Sequence, residues 1–341
     1  MSAKPLILSC PLPRSLELIF HPAQLDALQA RYEIIEATDE TLPALPAADL
    51  ARARYIIGQP PLSSELLAQM AGLKCIFNVE SNLLNNMPYD EVFARGIHVV
   101  TTGAVFAEPV AEIGIGFALA LARDIIPADV GFSQGRELWG GDGNAKARLL
   151  SGSDIGIIGF GELGRTLYRL LAGFRANIRI HDPWLPASVI RDHGAAPAGL
   201  TEVLQNSDFV FVMAAVTAEN QKFLGAEAFA QMRPGAAFIL LSRADVVDFE
   251  ALMDAVESGH ILAASDVFPA EPLPLDHRVR GLKGFIRSAH RAGALDIAFK
   301  RMGDMVLDDL DLLDRGLPPL RCKRAERETV GRMRSKPVTT N

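Results

Sequence analysis

The sequence predicts an α/β protein built from two doubly wound parallel-sheet domains, and three observations carry that expectation. The chain has 341 residues, long for a single hydrophobic core. Short β-branched runs alternate with helix-length segments twice over, before residue 100 and again after residue 154, as in parallel strands covered on both faces. At the head of the second series stands Ile155-Gly156-Ile157-Ile158-Gly159-Phe160-Gly161-Glu162-Leu163-Gly164, a strand that runs through a three-glycine turn into a helix.

The first series places strands at Leu6 to Ser9, Tyr32 to Glu36, Arg54 to Gly58, Lys74 to Asn78 and Ile97 to Val100. It forms a smaller, flavodoxin-like domain over residues 1–103. Residues 109–123 then read as a helix, with Pro109 in its first turn and Val110, Ile113, Gly114, Phe117, Ala118 and Leu121 at helical spacing. Gly114 and Gly116 inside it predict close approach of another backbone, hence an interface helix and a homodimer. Gly131 to Asn144 reads as loop.

The second series places strands at Ile155 to Ile158, Ile178 to His181, Phe209 to Met213, Ala237 to Leu241, Ile261 to Ala264 and Phe285 to Ser288. This is a Rossmann domain over 104–293. Gly159 permits the tight turn, Gly161 lets backbone approach a pyrophosphate, and Gly164 lets helix and strand pack closely, so the amides of Glu162, Leu163 and Gly164 meet phosphate at a helix N-terminus. Asp182, closing the next strand, is placed to take the adenosine ribose hydroxyls and to repel a 2′-phosphate. The expected cofactor is therefore NAD rather than NADP.

After Gly293 a long amphipathic helix, with Leu295, Phe299, Met302, Val306, Leu310 and Leu313 on one face, is expected to cross back, so that 294–341 completes the first domain. The tail 315–341 holds eight Lys or Arg against two Glu and reads as a solvated extension.

Composition excludes several classes. With 49% apolar and 22% charged residues this is an ordinary globular chain, and its net charge of -7 argues against a nucleic-acid partner. Cys10, Cys75 and Cys322 lie too far apart for a disulfide framework or a metal site, which points to the cytoplasm. The run from Pro5 to Ser9 is too short for a signal peptide, and no stretch is expected to approach the roughly 20 apolar residues that span a bilayer.

Four further patterns narrow the chemistry: Met232-Arg233-Pro234-Gly235-Ala236, Leu241-Ser242-Arg243, Asp266-Val267-Phe268 with Glu271-Pro272-Leu273-Pro274, and His290-Arg291-Ala292-Gly293. Together with Val110-Ala111-Glu112 and Trp139, they make residues 75–293 resemble the D-2-hydroxyacid dehydrogenase family. The resemblance implies hydride transfer between NAD and C2 of a small 2-hydroxy or 2-oxo acid, bound in a cleft between the domains. It makes His290 the acid/base, Glu271 the carboxylate that orients its ring, and Arg243 the anchor for the substrate carboxylate. An imidazole that titrates near neutrality suits the first task, and a planar guanidinium fork the third. Asp266 would face the nicotinamide carboxamide, and Ser242, Arg243 and Thr217 would line the cofactor; for Thr217 a turn-capping role is the alternative.

The family pattern is broken in places. Where a glycine-rich loop usually holds the substrate carboxylate, this chain has Asn78-Val79-Glu80-Ser81-Asn82-Leu83-Leu84-Asn85. Val79, Glu80, Ser81 and Asn82 remain the expected substrate-binding residues, although Glu80 sets a like charge beside the acid unless its side chain turns away. Leu240, Ala244-Asp245, Ser288-Ala289, Met213, Ala215 and Glu162 are further departures. Arg291 adds a cation for a second anionic group, or else a salt bridge to Asp296. Two alternatives stay open: an NAD-sensing, corepressor-like protein on the same fold, and a phosphite-type dehydrogenase.

Overall fold

The computed structural model describes residues 4–80 and 83–331. Ser81 and Asn82 of the expected substrate loop, and 332–341 of the tail, lie outside the described residues. The chain divides into two compact units: one holds the residues up to Phe106, Thr217–Glu219 and the chain from Ala294 onward, and the other holds Ala107–Val216 and Asn220–Gly293.

In the first unit the parallel strands β1 (Leu6–Cys10), β2 (Glu33–Glu36), β3 (Ala53–Gly58), β4 (Cys75–Asn78) and β5 (His98–Thr101) run in the order β5-β4-β3-β1-β2. Successive side chains of a strand point to opposite faces, so each strand feeds two cores. Ile7, Tyr55, Ile57 and Phe77 pack on one face with Met302, Val306 and Leu310 of the Asp296–Asp314 helix. Leu6, Leu8, Ile56 and Ile76 pack on the other with Leu50, Leu66 and Leu67. Each such aliphatic side chain, taken fully from water, stabilises the fold by roughly 1.5–3 kcal/mol. The long helix follows its expected stripe except at Leu295, which is its N-cap and is exposed.

The tail departs from the expectation of a solvated extension. Lys323–Arg324 adds an antiparallel strand beside β5, and Cys322 and Ala325 are buried. The turn that delivers it is held by Asp309, whose fully buried carboxylate accepts hydrogen bonds from the amides of Leu320, Arg321 and Cys322 at 2.8, 2.9 and 2.8 Å. Three amides on one carboxylate satisfy a charge that would otherwise be costly to bury.

The second unit carries an all-parallel sheet of β6 (Asp154–Ile158), β7 (Asn177–His181), β8 (Ala196–Pro197), β9 (Phe209–Val212), β10 (Ala237–Leu240), β11 (Leu262–Ser265) and β12 (Phe285–Arg287). Its order is β12-β11-β10-β9-β6-β7-β8, which reverses at β6. The edge strand β8 has two residues and no hydrophobic run to announce it.

The Ala107–Ala122 helix packs on β10, β11 and the Glu162–Leu170 helix. Gly114 makes room for side chains rather than for another backbone, because a Cβ there would lie 2.5 Å from Leu241 Cδ1, and Gly116 faces open space. This corrects the reading of both glycines as marks of a backbone contact. A second correction concerns apolar length: the helical run Gly103–Ala122 has 20 residues with a mean hydropathy of 1.7, long and apolar enough to span a bilayer. Half of it is buried against the protein, which accounts for its composition. The following segment, expected to be loop from Gly131, is helical over Ile125–Ser133 and exposes Ile125, Ile126, Phe132, Leu138, Trp139 and Leu149.

Candidate active site

In a doubly wound sheet ligands collect at the carboxyl ends of the strands, where the strand order reverses. The glycine turn leaves β6 at that point. Gly159 has φ of +93°, and a Cβ on it would stand 2.6 Å from the Ala214 backbone. Gly164 brings helix onto strand so closely that a Cβ would lie 2.2 Å from the Gly159 carbonyl oxygen. Gly161, by contrast, has nothing near it and opens the Glu162–Leu170 helix, which no side chain caps.

Asp182 binds the turn together: its Oδ2 accepts from the Phe160 amide at 2.7 Å and its Oδ1 from the Trp184 amide at 2.9 Å. A carboxylate offers about four lone-pair sites, so both oxygens keep capacity for ribose hydroxyls. Ser242 Oγ is buried with no hydrogen-bond partner among the described residues. An uncapped helix N-terminus, open space over Gly161, a carboxylate at the end of β7 and an orphaned hydroxyl at the end of β10 together fit a dinucleotide. Thr217 is buried, and its Oγ1 accepts from the Glu219 amide at 3.2 Å, the turn geometry left open for it.

Further along the same sheet, Nδ1 of His290 lies 2.6 Å from Oε2 of Glu271. Glu271 Oε1 accepts from the Phe268 amide at 2.9 Å, which fixes the carboxylate on both oxygens. Burial pushes the Glu271 carboxyl up, but hydrogen bonds from His290 and the Phe268 amide, with the charges of His290 and Arg243, outweigh it and hold the group below its ordinary value. Arg243 follows β10, and its Nη1 donates to the Ser242 carbonyl at 2.7 Å.

Asp266, expected to face the carboxamide, is almost wholly buried and serves the histidine loop. Its Oδ1 and Oδ2 accept from the amides of Arg291 and Ala292 at 3.1 and 3.0 Å, and its carbonyl accepts from the His290 amide at 2.7 Å. These three bonds hold His290 at φ of 48°, a left-handed conformation uncommon for residues other than glycine. The Arg291 side chain is exposed and makes no ion pair among the described residues, so the salt bridge to Asp296 is not formed.

In the first unit, Val79 is buried at the end of β4 and the Glu80 amide donates to Asn78 Oδ1 at 2.8 Å. The Glu80 carboxylate is paired: Oε1 lies 2.8 Å from Nε of Arg14. Sequence reasoning missed Arg14, since nothing local links it to a residue three strands later. The largest groove, about 950 Å³, runs along the Glu162–Leu170 helix and β7 past Arg165, Arg175 and His193. It shares Phe160 and Glu162 with the glycine turn but contains none of Arg243, Glu271 and His290.

Comparison with known proteins agrees with this arrangement. Residues 115–292 match the family model of the D-isomer specific 2-hydroxyacid dehydrogenase NAD-binding domain. Glyoxylate reductase of Korarchaeum cryptofilum is 30% identical over 240 residues, which are 69% of this chain and 72% of that protein. D-3-phosphoglycerate dehydrogenase of Mycobacterium leprae is 28% identical over 290 residues, and the match takes in 84% of this chain but only 53% of that longer protein. The crystal structure of a phosphoglycerate oxidoreductase from Rhizobium etli superimposes with a TM-score of 0.89 at 69% identity, covering 96% of this chain and 100% of that one. The chain belongs to the D-isomer specific 2-hydroxyacid dehydrogenase family and is an NAD-dependent oxidoreductase acting on CH–OH groups.

Proposed function

We propose that the chain interconverts a small D-2-hydroxy acid and its 2-oxo acid, with His290, Glu271 and Arg243 as the catalytic residues. The observation that carries this reading is the 2.6 Å contact between His290 and Glu271, with Arg243 near enough for its charge to lower the carboxyl further. NAD(H), when bound, supplies or accepts the hydride at C2. The matching proton moves at the substrate oxygen: Nε2 of His290 gives it in reduction and takes it in oxidation. Glu271, anionic and bonded to Nδ1, selects the tautomer that leaves Nε2 free for that exchange and stabilises the ring when it is charged. Arg243 grips the substrate carboxylate and polarises the 2-oxo group. Gly159, Gly161, Glu162, Leu163, Gly164, Asp182 and Ser242 hold the cofactor, with Thr217 and Asp266 shaping the site around it. Val79, Glu80 and the two residues after it, with Arg291, meet the substrate.

Spectrophotometric NADH oxidation against a panel of 2-oxo acids tests the reading. Turnover of at least one acid, lost in His290→Ala while NADH still binds, is the expected result. Tight NADH binding with no turnover of any acid would favour the sensing alternative instead. The apolar side chains exposed between Ile125 and Leu149 support a homodimer, to be measured by light scattering on the eluting protein and by its loss in Phe132→Asp with Trp139→Asp. The buried thiols of Cys10, Cys75 and Cys322, all unbridged, favour a cytoplasmic setting.

A further inference from the structure

The strand order of the first unit reverses between β1 and β3, so the carboxyl ends of its strands form a second place where a ligand is expected. Two charged residues stand there: Arg14, in the turn after β1, and Glu80, just beyond β4. Arg14 is held from three sides. Its amide donates to the Pro11 carbonyl at 2.8 Å, its Nε lies 2.8 Å from Glu80 Oε1, and its guanidinium covers the Phe299 ring at 4.6 Å from the centroid. Both contacting atoms of the pair are buried. The two terminal amino groups of the guanidinium have no hydrogen-bond partner among the described residues.

An ordinary surface ion pair contributes little, because two long side chains must be held in one geometry that solvent screens. This one differs in which donor it uses. Glu80 occupies the Nε edge and the aromatic ring covers one face, so the group is stiff and presents its terminal donors with the ordering cost already met. A guanidinium so presented has only donors to offer, and it matches a group that has only acceptors. Glu80, read from sequence as an obstacle to an acidic substrate, then becomes the strut that aims a cation.

We propose that Arg14 is a specificity-determining residue that binds a second anionic group, a phosphate or a carboxylate, carried at C3 of the 2-oxo acid, and that Glu80 is its positioning residue. The proposal rests on the reading of the chain as a 2-oxo acid reductase. Because Glu80 cancels the charge of Arg14, selection comes from directed hydrogen bonds rather than from a broad positive field.

The test compares kcat/KM for hydroxypyruvate, whose C3 group is neutral, with 3-phosphohydroxypyruvate and with oxaloacetate. Arg14→Met is expected to reduce the preference for one of the two anionic acids over hydroxypyruvate by about tenfold or more, through KM, the scale of one charge-assisted hydrogen bond. The acid that shows the fall identifies the group as phosphate or carboxylate. Glu80→Gln, which keeps the shape and loses the charge, should reduce the same preference by a smaller factor with kcat little changed. Arg14→Lys, which keeps the charge and loses the fork, serves where the methionine variant does not fold, and fluorescence titration with NADH certifies each variant. An unchanged preference in both Arg14 variants, or no preference in the wild type, overturns the proposal and leaves the 2-oxo acid reading intact. If the wild type turns over no 2-oxo acid at all, that reading falls and the proposal with it.

Discussion

Asp266 holds His290 without touching its ring: the aspartate carbonyl accepts the histidine amide at 2.7 Å, while the carboxylate accepts the next two amides. Asp266→Ala would leave buried amides without acceptors, each costing about 1–3 kcal/mol, and would release the left-handed conformation at His290. The expected outcome is a lower urea midpoint together with a fall in kcat. Wild-type kcat in a variant of normal stability would count against the positioning of His290 by this carboxylate.

Removing the imidazole should be more severe. For His290→Ala we expect kcat to drop by about 10²- to 10⁴-fold, the usual share of a general acid/base, with the NADH dissociation constant little altered. Glu271→Gln keeps a hydrogen-bond acceptor and loses the charge, so its kcat should fall by less than that. Stopped-flow measurement of the hydride step separates both effects from slow product release.

Cofactor choice turns on Asp182. Replacing it by serine removes the charge that repels a 2′-phosphate and weakens the bonds to Phe160 and Trp184. Asp182→Ser should therefore lower kcat/KM with NADH and raise the ratio of NADPH to NADH use. An unaltered ratio would show that this carboxylate does not set the preference.

At the opposite end of β6, Asp154 pairs with Arg179 and Arg233 at 3.0 and 3.1 Å. Burial raises its pKa, but the hydrogen bonds and charges of the two arginines outweigh it, and the net shift is downward from 3.8. A carboxyl with a depressed folded-state pKa stabilises the fold above its unfolded value, about 3.9, and loses that contribution as pH falls through the folded value. Urea denaturation should accordingly find Asp154→Asn less stable than wild type at pH 7. The gap should narrow as the pH is taken towards 3.

How much of this was legible in the sequence depended on how local the signal was. Ten of the strands were readable because each is an apolar run buried on both faces, as in Ile155 to Ile158; an eleventh, Glu33–Glu36, is less buried but follows a helix-length segment in the same alternation. Ala196–Pro197 and Lys323–Arg324 were not, since two-residue edge strands owe their place to a neighbour rather than to their own composition. The Ile125–Ser133 helix was hidden by Pro127 and Gly131, which read as breakers. In the candidate site, the order of Arg243, Glu271 and His290 could be read along the chain. The pairing of Arg14 with Glu80, and the use of Asp266 to hold a loop, could not, because each depends on segments that only folding brings together.

The first unit is interrupted by the second, and this has a consequence for synthesis. Every strand of the second sheet lies in the continuous stretch before Gly293, whereas the first sheet waits for the Asp296–Asp314 helix to cover one face and for Lys323–Arg324 to close beside β5. Until those residues leave the ribosome, Ile7, Tyr55 and Phe77 have no lid and β5 presents an open edge. The earliest-made strands are thus the last to be sheltered, and the nascent chain depends on chaperones most at its beginning.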